Sequence, residues 1–136
     1  MATTTINSWT YEVDGTDGND AILFNAGAYD VDTGEGTENV TLGTSGAGNV
    51  DLGDGNNQLF SDGWVENVTT GDGVDVVELD AGGGTVKLGG GDDIFRAEAF
   101  VNNVYGEDGN DTFEANSSGN FYGGADDATF SFEYEN

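Results

Sequence analysis

The feature that most constrains this chain is a period of 18 residues. One apolar series runs Ile22, Val40, Leu59, Val77, Phe95 and Phe113, in steps of 18, 19, 18, 18 and 18, and ends near Thr129 or Phe130. A second lies half a period away at Val50, Val68, Val86, Val104 and Phe121 or Tyr122. A fixed period marks a solenoid, in which each repeat buries its apolar face only against its neighbours. Each apolar residue sits in a short run, such as Val76-Val77-Glu78 or Thr85-Val86-Lys87, that fits a brief strand with one residue inward. No helical spacing competes. Leu42, Leu52, Leu79 and Leu88 stand two residues after members of the two series, so alternation puts them on the same side. Two strands per coil and two thin sheets follow.

The predicted fold is all-β: a right-handed parallel β-roll, or β-solenoid, of about 18 residues per coil and six to seven coils, capped at both ends. Residues 1–136 read as one domain, with an N-terminal cap at 1–13, repeats over 14–127 and a C-terminal capping strand at 128–136. A solenoid must cover its end coils and blunt its edges. Trp9 and Tyr11 are placed to cover the first coil. The closing run ATFSFEYE alternates, with Phe130, Phe132 and Tyr134 on one face.

The segments before the first series carry the chemistry. They are GTDGND at Gly15 to Asp20, GEGTE at Gly34 to Glu38, GDGNN at Gly53 to Asn57, GDGVD at Gly71 to Asp75, GGGDD at Gly89 to Asp93, GEDGND at Gly106 to Asp111 and GGADD at Gly123 to Asp127. These turns resemble the RTX, or haemolysin-type calcium-binding, nonapeptide repeats, whose pattern is Gly-Gly-x-Gly-x-Asp followed by a large aliphatic residue. The resemblance covers roughly Gly15 to Phe130 in seven copies. It departs at Glu38 and Asn57, which replace the family Asp, and at Ala125, which replaces a glycine. The alternate turns, SGAGN, DGWVEN, AGGGT, AFVNN and SSGN, lack the acidic residue apart from Glu66, so they read as metal-free and cations are expected along one edge.

The resemblance implies that calcium is held by Asp20, Glu38, Asn57, Asp75, Asp93, Asp111 and Asp127. The turn glycines Gly18, Gly36, Gly55, Gly73, Gly91 and Gly109 would free backbone carbonyls to join them. Asp17, Asp54, Asp72 and Asp108 belong to the same expected set, with plain solvation as their other reading. Stacked coils lie about 4.8 Å apart, so equivalent carboxylates become close neighbours. Two unit charges at that distance repel by about 3 to 4 kcal/mol at an effective dielectric constant near 20. Such a column opposes stacking unless cations sit in it, and several calcium ions, each between two turns, would couple binding to folding.

Composition narrows the function from the other side. The chain has 27 acidic and two basic residues, Lys87 and Arg96, a formal charge of −25, and neither histidine nor cysteine. That removes Ser-His-Asp and thiolate nucleophiles and leaves oxygen as the only abundant metal ligand. So acidic a surface is expected to repel nucleic acid. No stretch approaches a membrane span of about 20 apolar residues, and no cleaved signal peptide is visible.

The expected function is a secreted structural or folding module that sets on meeting calcium outside the cell, with no enzymatic activity. Proteins similar to this commonly leave bacteria through type I exporters with an uncleaved C-terminal signal, a rival reading of the last segment. The alternative function is a binding module that adheres to a glycan, a protein or ice through one face. For ice, the outward columns are too irregular: Asn49 and Asp51, Asn67 and Thr69, Thr85 and Lys87, Asn103 and Tyr105.

Overall fold

The computed structural model describes residues 2–132, which form parallel strands and no helix. In chain order the strands are β1 (Ala2–Ile6), β2 (Thr10–Asp14), β3 (Asp20–Phe24), β4 (Ala28–Asp32), β5 (Asn39–Leu42), β6 (Ala47–Asp51), β7 (Gln58–Ser61), β8 (Val65–Thr69), β9 (Val76–Leu79), β10 (Gly83–Lys87), β11 (Ile94–Ala97), β12 (Val101–Tyr105), β13 (Thr112–Ala115), β14 (Gly119–Tyr122) and β15 (Thr129–Phe132). Odd-numbered strands make one eight-stranded sheet and even-numbered strands one seven-stranded sheet, each in strict sequence order. The chain is therefore a two-sheet β-solenoid of about seven coils, as the period predicts.

Register follows the apolar series. Ile22, Val40, Leu59, Val77, Phe95, Phe113 and Phe130 pair in succession through one sheet. Val13, Val31, Val50, Val68, Val86, Val104 and Phe121 do so through the other. The series thus end on Phe130 and Phe121, not on Thr129 and Tyr122. Leu42, Leu52, Leu79 and Leu88 all point inward and are at most 1% exposed. Both 19-residue steps, Val40 to Leu59 and Val31 to Val50, share the turn 43–46. There Gly46 takes φ +64 and its N–H donates to Gly43 O at 3.1 Å, so one extra residue is absorbed without disturbing the sheets.

The N-terminal end departs from the capping expectation, whereas the C-terminal end closes on the expected final strand, β15. The described part of segment 1–13 does not sit across the core: β1 pairs with β3 and β2 with β4, forming a coil in the common register. Its signal, Val13 lying 18 residues before Val31, is a single apolar residue between Glu12 and Asp14. Trp9 and Tyr11, each 64% exposed, lie outside the core, where Tyr11 stacks on Tyr29 at 5.1 Å. At the other end Phe130 stacks on Phe113 at 4.9 Å and on Phe132 at 6.0 Å. Tyr134 lies outside the described residues.

The turns before the odd-numbered strands stack through their own peptides. Gly36, Gly55, Gly73 and Gly91 each donate N–H to a carbonyl one coil on, at 3.1, 2.8, 2.7 and 2.9 Å, on Asp54, Asp72, Gly90 and Asp108. Gly91 shows why glycine is required in this row: its φ is +122, and an added methyl would strike Gly73 O of the coil beneath. This stacking aligns the acidic positions.

Candidate metal centre

The residue two places before each inward position of the first series forms a buried column. Asp20, Glu38, Asn57, Asp75, Asp93 and Asp111 are all at most 3% exposed. Ionisable groups are seldom buried unless paired, since leaving water without a partner costs several kcal/mol. One oxygen of most of these side chains is used in stacking. Asn57 Oδ1 accepts the N–H of Glu38 at 2.9 Å, Asp75 Oδ1 that of Asn57 at 2.8 Å, Asp93 Oδ1 that of Asp75 at 2.8 Å, and Asp111 Oδ1 that of Asp93 at 3.0 Å. Each side chain thus reaches back one coil and fixes the strand start below it.

The second oxygen is left over. Asp75 Oδ2, Asp93 Oδ2, Asp111 Oδ2 and both carboxylate oxygens of Glu38 are buried without a hydrogen-bond partner. The Thr70 hydroxyl, which could serve Asp75, donates instead to Leu88 O at 2.7 Å. Burial is the main force on these carboxyls and raises all four. Glu38 moves from 4.5 to about 7, with the Asp20 charge adding to burial. Asp75 rises to about 6 and Asp93 to about 7, each also facing other carboxylates, against the opposing effect of the backbone N–H it accepts. Asp111 is raised for the same reasons.

The leftover oxygens face other acceptors. Asp20 is satisfied within its own turn, Oδ2 accepting the Thr16 N–H at 2.6 Å and Oδ1 the Thr16 hydroxyl at 2.9 Å, and a methyl placed on Gly15 would lie 2.6 Å from that Oδ2 and 2.5 Å from Thr33 O. One placed on Gly106 would meet Asp111 Oδ2 and lie 2.8 Å from Gly123 O. One placed on Gly36 would lie 2.5 Å from Glu38 Oε1 and 2.7 Å from Gly18 O. At these three glycines a carboxylate oxygen and a carbonyl from a neighbouring coil converge on space that glycine leaves open. Two acceptors facing each other need a proton or a cation between them. Oxygen-only donors, one carboxylate per coil plus carbonyls, suit a hard cation of loose geometry, as calcium is. Among the described residues no three carboxylates gather around one point, so carbonyls would make up most of such a ligand set.

The remaining expected ligands behave differently. Asp17, Asp54, Asp72 and Asp108 form a separate, exposed row on the outside of the turns. Of these, Asp54 Oδ1 accepts the N–H of Asp72 at 2.9 Å, a stacking bond without burial. Asp127 does not join the buried column. The last step of the sheet is 17 residues, since Thr112 pairs with Thr129, and Ala128 takes the place below Asp111. Asp127 lies instead in an exposed ladder, its N–H donating to Asn110 Oδ1 at 3.0 Å. Of the turn glycines, Gly36, Gly55, Gly73, Gly91 and Gly109 have positive φ; Gly18 does not.

Three features escape the sequence reading. Carbonyls five residues before a column member, or one coil beyond that point, stand beside Asp20, Asn57 and Asp111, and Gly15 and Gly106 are the openings that admit them. Their signal is the fixed five-residue offset from Asp20 and Asp111. The exposed Asn/Asp ladder is the second: Asn19, Asn56 and Asp92 accept N–H groups of Thr37, Val74 and Asn110 at 2.9, 2.8 and 2.9 Å. On the opposite edge, Glu66 lies within β8 and accepts Trp64 Nε1–H at 3.0 Å, outside the turn to which its motif assigns it. Burial, with the Asp62 and Glu98 charges, raises Asp80 on that edge.

No family model, curated protein or solved structure matches the chain.

Proposed function

We propose that this protein is an RTX-type calcium-binding β-roll, a structural module without catalytic activity that folds on taking up Ca2+ after export from the cell. The observation that carries the reading is the set of buried carboxylate oxygens without partners at Asp75, Asp93, Asp111 and Glu38. Above pH 7 these groups are charged unless folding suppresses their ionisation. A divalent cation beside each orphaned oxygen removes the penalty and adds binding free energy to the folded state alone. The low free calcium inside cells then keeps the chain loose, and external calcium shifts the population to the roll.

The test is far-UV circular dichroism of metal-free protein titrated with calcium, with magnesium as control and an Asp75→Ala, Asp93→Ala, Asp111→Ala variant alongside. A calcium-specific gain of β structure that the variant loses supports the proposal. Full β structure in metal-free buffer near pH 8, unchanged by calcium, rejects it.

A second reading rests on a different surface. Trp9, Tyr11 and Tyr29 are exposed together at the start of the seven-stranded sheet, with Tyr11 stacked on Tyr29 and Trp9 edge-on to Tyr11 at 6.5 Å. Exposed aromatic clusters of this kind serve as binding platforms, and adhesion to a glycan or a protein is the function they favour. Binding to a glycan array that Tyr11→Ala abolishes, with the fold intact, is its measurement.

A further inference from the structure

One member of the buried column carries no charge, and its contacts show what the others lack. Asn57 is 1% exposed and occupies the same position as Asp75, one coil before it. Its Oδ1 accepts the Glu38 N–H as its neighbours' Oδ1 atoms accept theirs. Its Nδ2 stands where they have the orphaned Oδ2. That nitrogen donates to Gly53 O at 2.9 Å and lies within reach of Thr70 O at 3.4 Å and Leu52 O at 3.5 Å. These carbonyls stand four residues before the column member, one coil beyond its five-residue offset, and at that offset.

The same arrangement recurs where the column member is an acid. Leu52 stacks on Thr70 as Gly106 stacks on Gly123 and Gly15 on Thr33. Gly123 O faces Asp111 Oδ2 across the space at Gly106, and Thr33 O faces Asp20 Oδ2, which also accepts the Thr16 N–H at 2.6 Å, across the space at Gly15. An amide has two N–H donors, one for Gly53 O and one turned toward Thr70 O and Leu52 O. A carboxylate facing the same carbonyls has none. At every other member from Glu38 to Asp111 a carboxylate oxygen is left without a partner; at Asn57 none is.

We propose that the Asn57 side-chain amide is a built-in substitute for a bound cation. It staples its coil to the next without metal and divides the ion column into an upstream pair, Asp20 with Glu38, and a downstream run, Asp75, Asp93 and Asp111. This rests on the calcium reading and adds to it a location at which no ion binds. The middle of the roll is then the segment that holds its stacking when calcium is withdrawn, and cation-dependent order extends from it in both directions.

Reciprocal substitutions test this. Calcium uptake is counted by isothermal titration on metal-free wild type, Asn57→Asp and Asp93→Asn near pH 8, and thermal unfolding of each is followed in chelator near pH 6, below the point at which the metal-free roll comes apart. Asn57→Asp gains one ion per chain and melts about 3 °C or more below wild type in chelator. Asp93→Asn loses one ion and melts higher by a similar margin, because its amide reproduces the Asn57 contacts. An Asn57→Asp chain with the wild-type ion count, or melting points that do not move in these directions, overturns the proposal while leaving the calcium reading intact. A wild-type chain that takes up no calcium overturns that reading and this inference with it.

Discussion

Raising the pH in calcium-free, resin-treated buffer should unfold this protein near neutrality, the reverse of ordinary acid denaturation. The sign follows from the raised carboxyls. Asp93 titrates at about 7 when folded against 3.8 in an unfolded chain, so between those values the folded state binds more protons than the unfolded one. Stability is then fully present below about pH 4 and is lost as pH rises through the folded-state value. For Asp93 that displacement is worth about 4 kcal/mol, at about 1.4 kcal/mol per pH unit. Asp75, rising to about 6, and Glu38, rising to about 7, add about 3 kcal/mol each. Because Asp75 and Asp93 feel each other's charge, their contributions overlap and do not simply add. A loss of about 4 to 8 kcal/mol is still comparable with the whole stability of an average domain, about 5 to 15 kcal/mol. The assay is thermal unfolding by circular dichroism across pH 4 to 8, on wild type and Asp93→Asn. General repulsion among the exposed acids falls in the same direction, so the variant is the control, and its pH dependence should be visibly shallower. A melting temperature that stays flat or rises between pH 4 and 7, or an equal slope in the variant, would refute the reasoning.

Other outcomes follow from the same geometry. Phe95→Ala, at a side chain fully buried between the sheets, should destabilise the calcium-bound fold by about 3 to 5 kcal/mol in denaturant unfolding. Gly91→Ala forces a side chain into a φ of +122 and onto Gly73 O; it should cost about 2 kcal/mol or more and weaken calcium binding at the adjacent turns, read by titration calorimetry. Arg96→Ala removes the exposed ion pair to Glu114 and should shift stability by less than about 1 kcal/mol. In metal-free buffer, added sodium chloride should raise the melting temperature by screening the exposed row Asp17, Asp54, Asp72 and Asp108, without replacing calcium at the buried column.

The period made most of the fold legible, because in a solenoid one repeat distance fixes pairing, register and inward face together. Ile22 through Phe113 and Val50 through Val104 needed nothing beyond their spacing. The first coil was hidden because β1, with the sequence ATTTI, puts only Ile6 at a partly buried apolar position against the core, and one repeat's worth of threonine has no neighbour in the sequence to compare with. Asp127 was misplaced for the opposite reason: the Asp-Asp pair continues the motif, but a 17-residue final step moves it one place outward and leaves Ala128 in the column.

At the candidate site, spacing identified which acids share a column but not which are buried. The distinction between Asp75 and Asp72 is a matter of which side of the turn each faces, and both stand in the same Gly-Asp-Gly-x-Asp motif. The role of Asn57 was invisible as well, since in sequence it is a departure from the pattern, and only the carbonyls around it show that the departure keeps the geometry while changing what fills it.

The most direct measurement is a crystal structure grown from calcium-containing solution above pH 7.5, with ions located by anomalous scattering. The account predicts cations beside Asp75 Oδ2, Asp93 Oδ2 and Asp111 Oδ2, with oxygen ligands at about 2.3 to 2.6 Å, and none at Asn57. Those carboxylate oxygens without ions, each instead donating a proton to a neighbouring carbonyl, would contradict it.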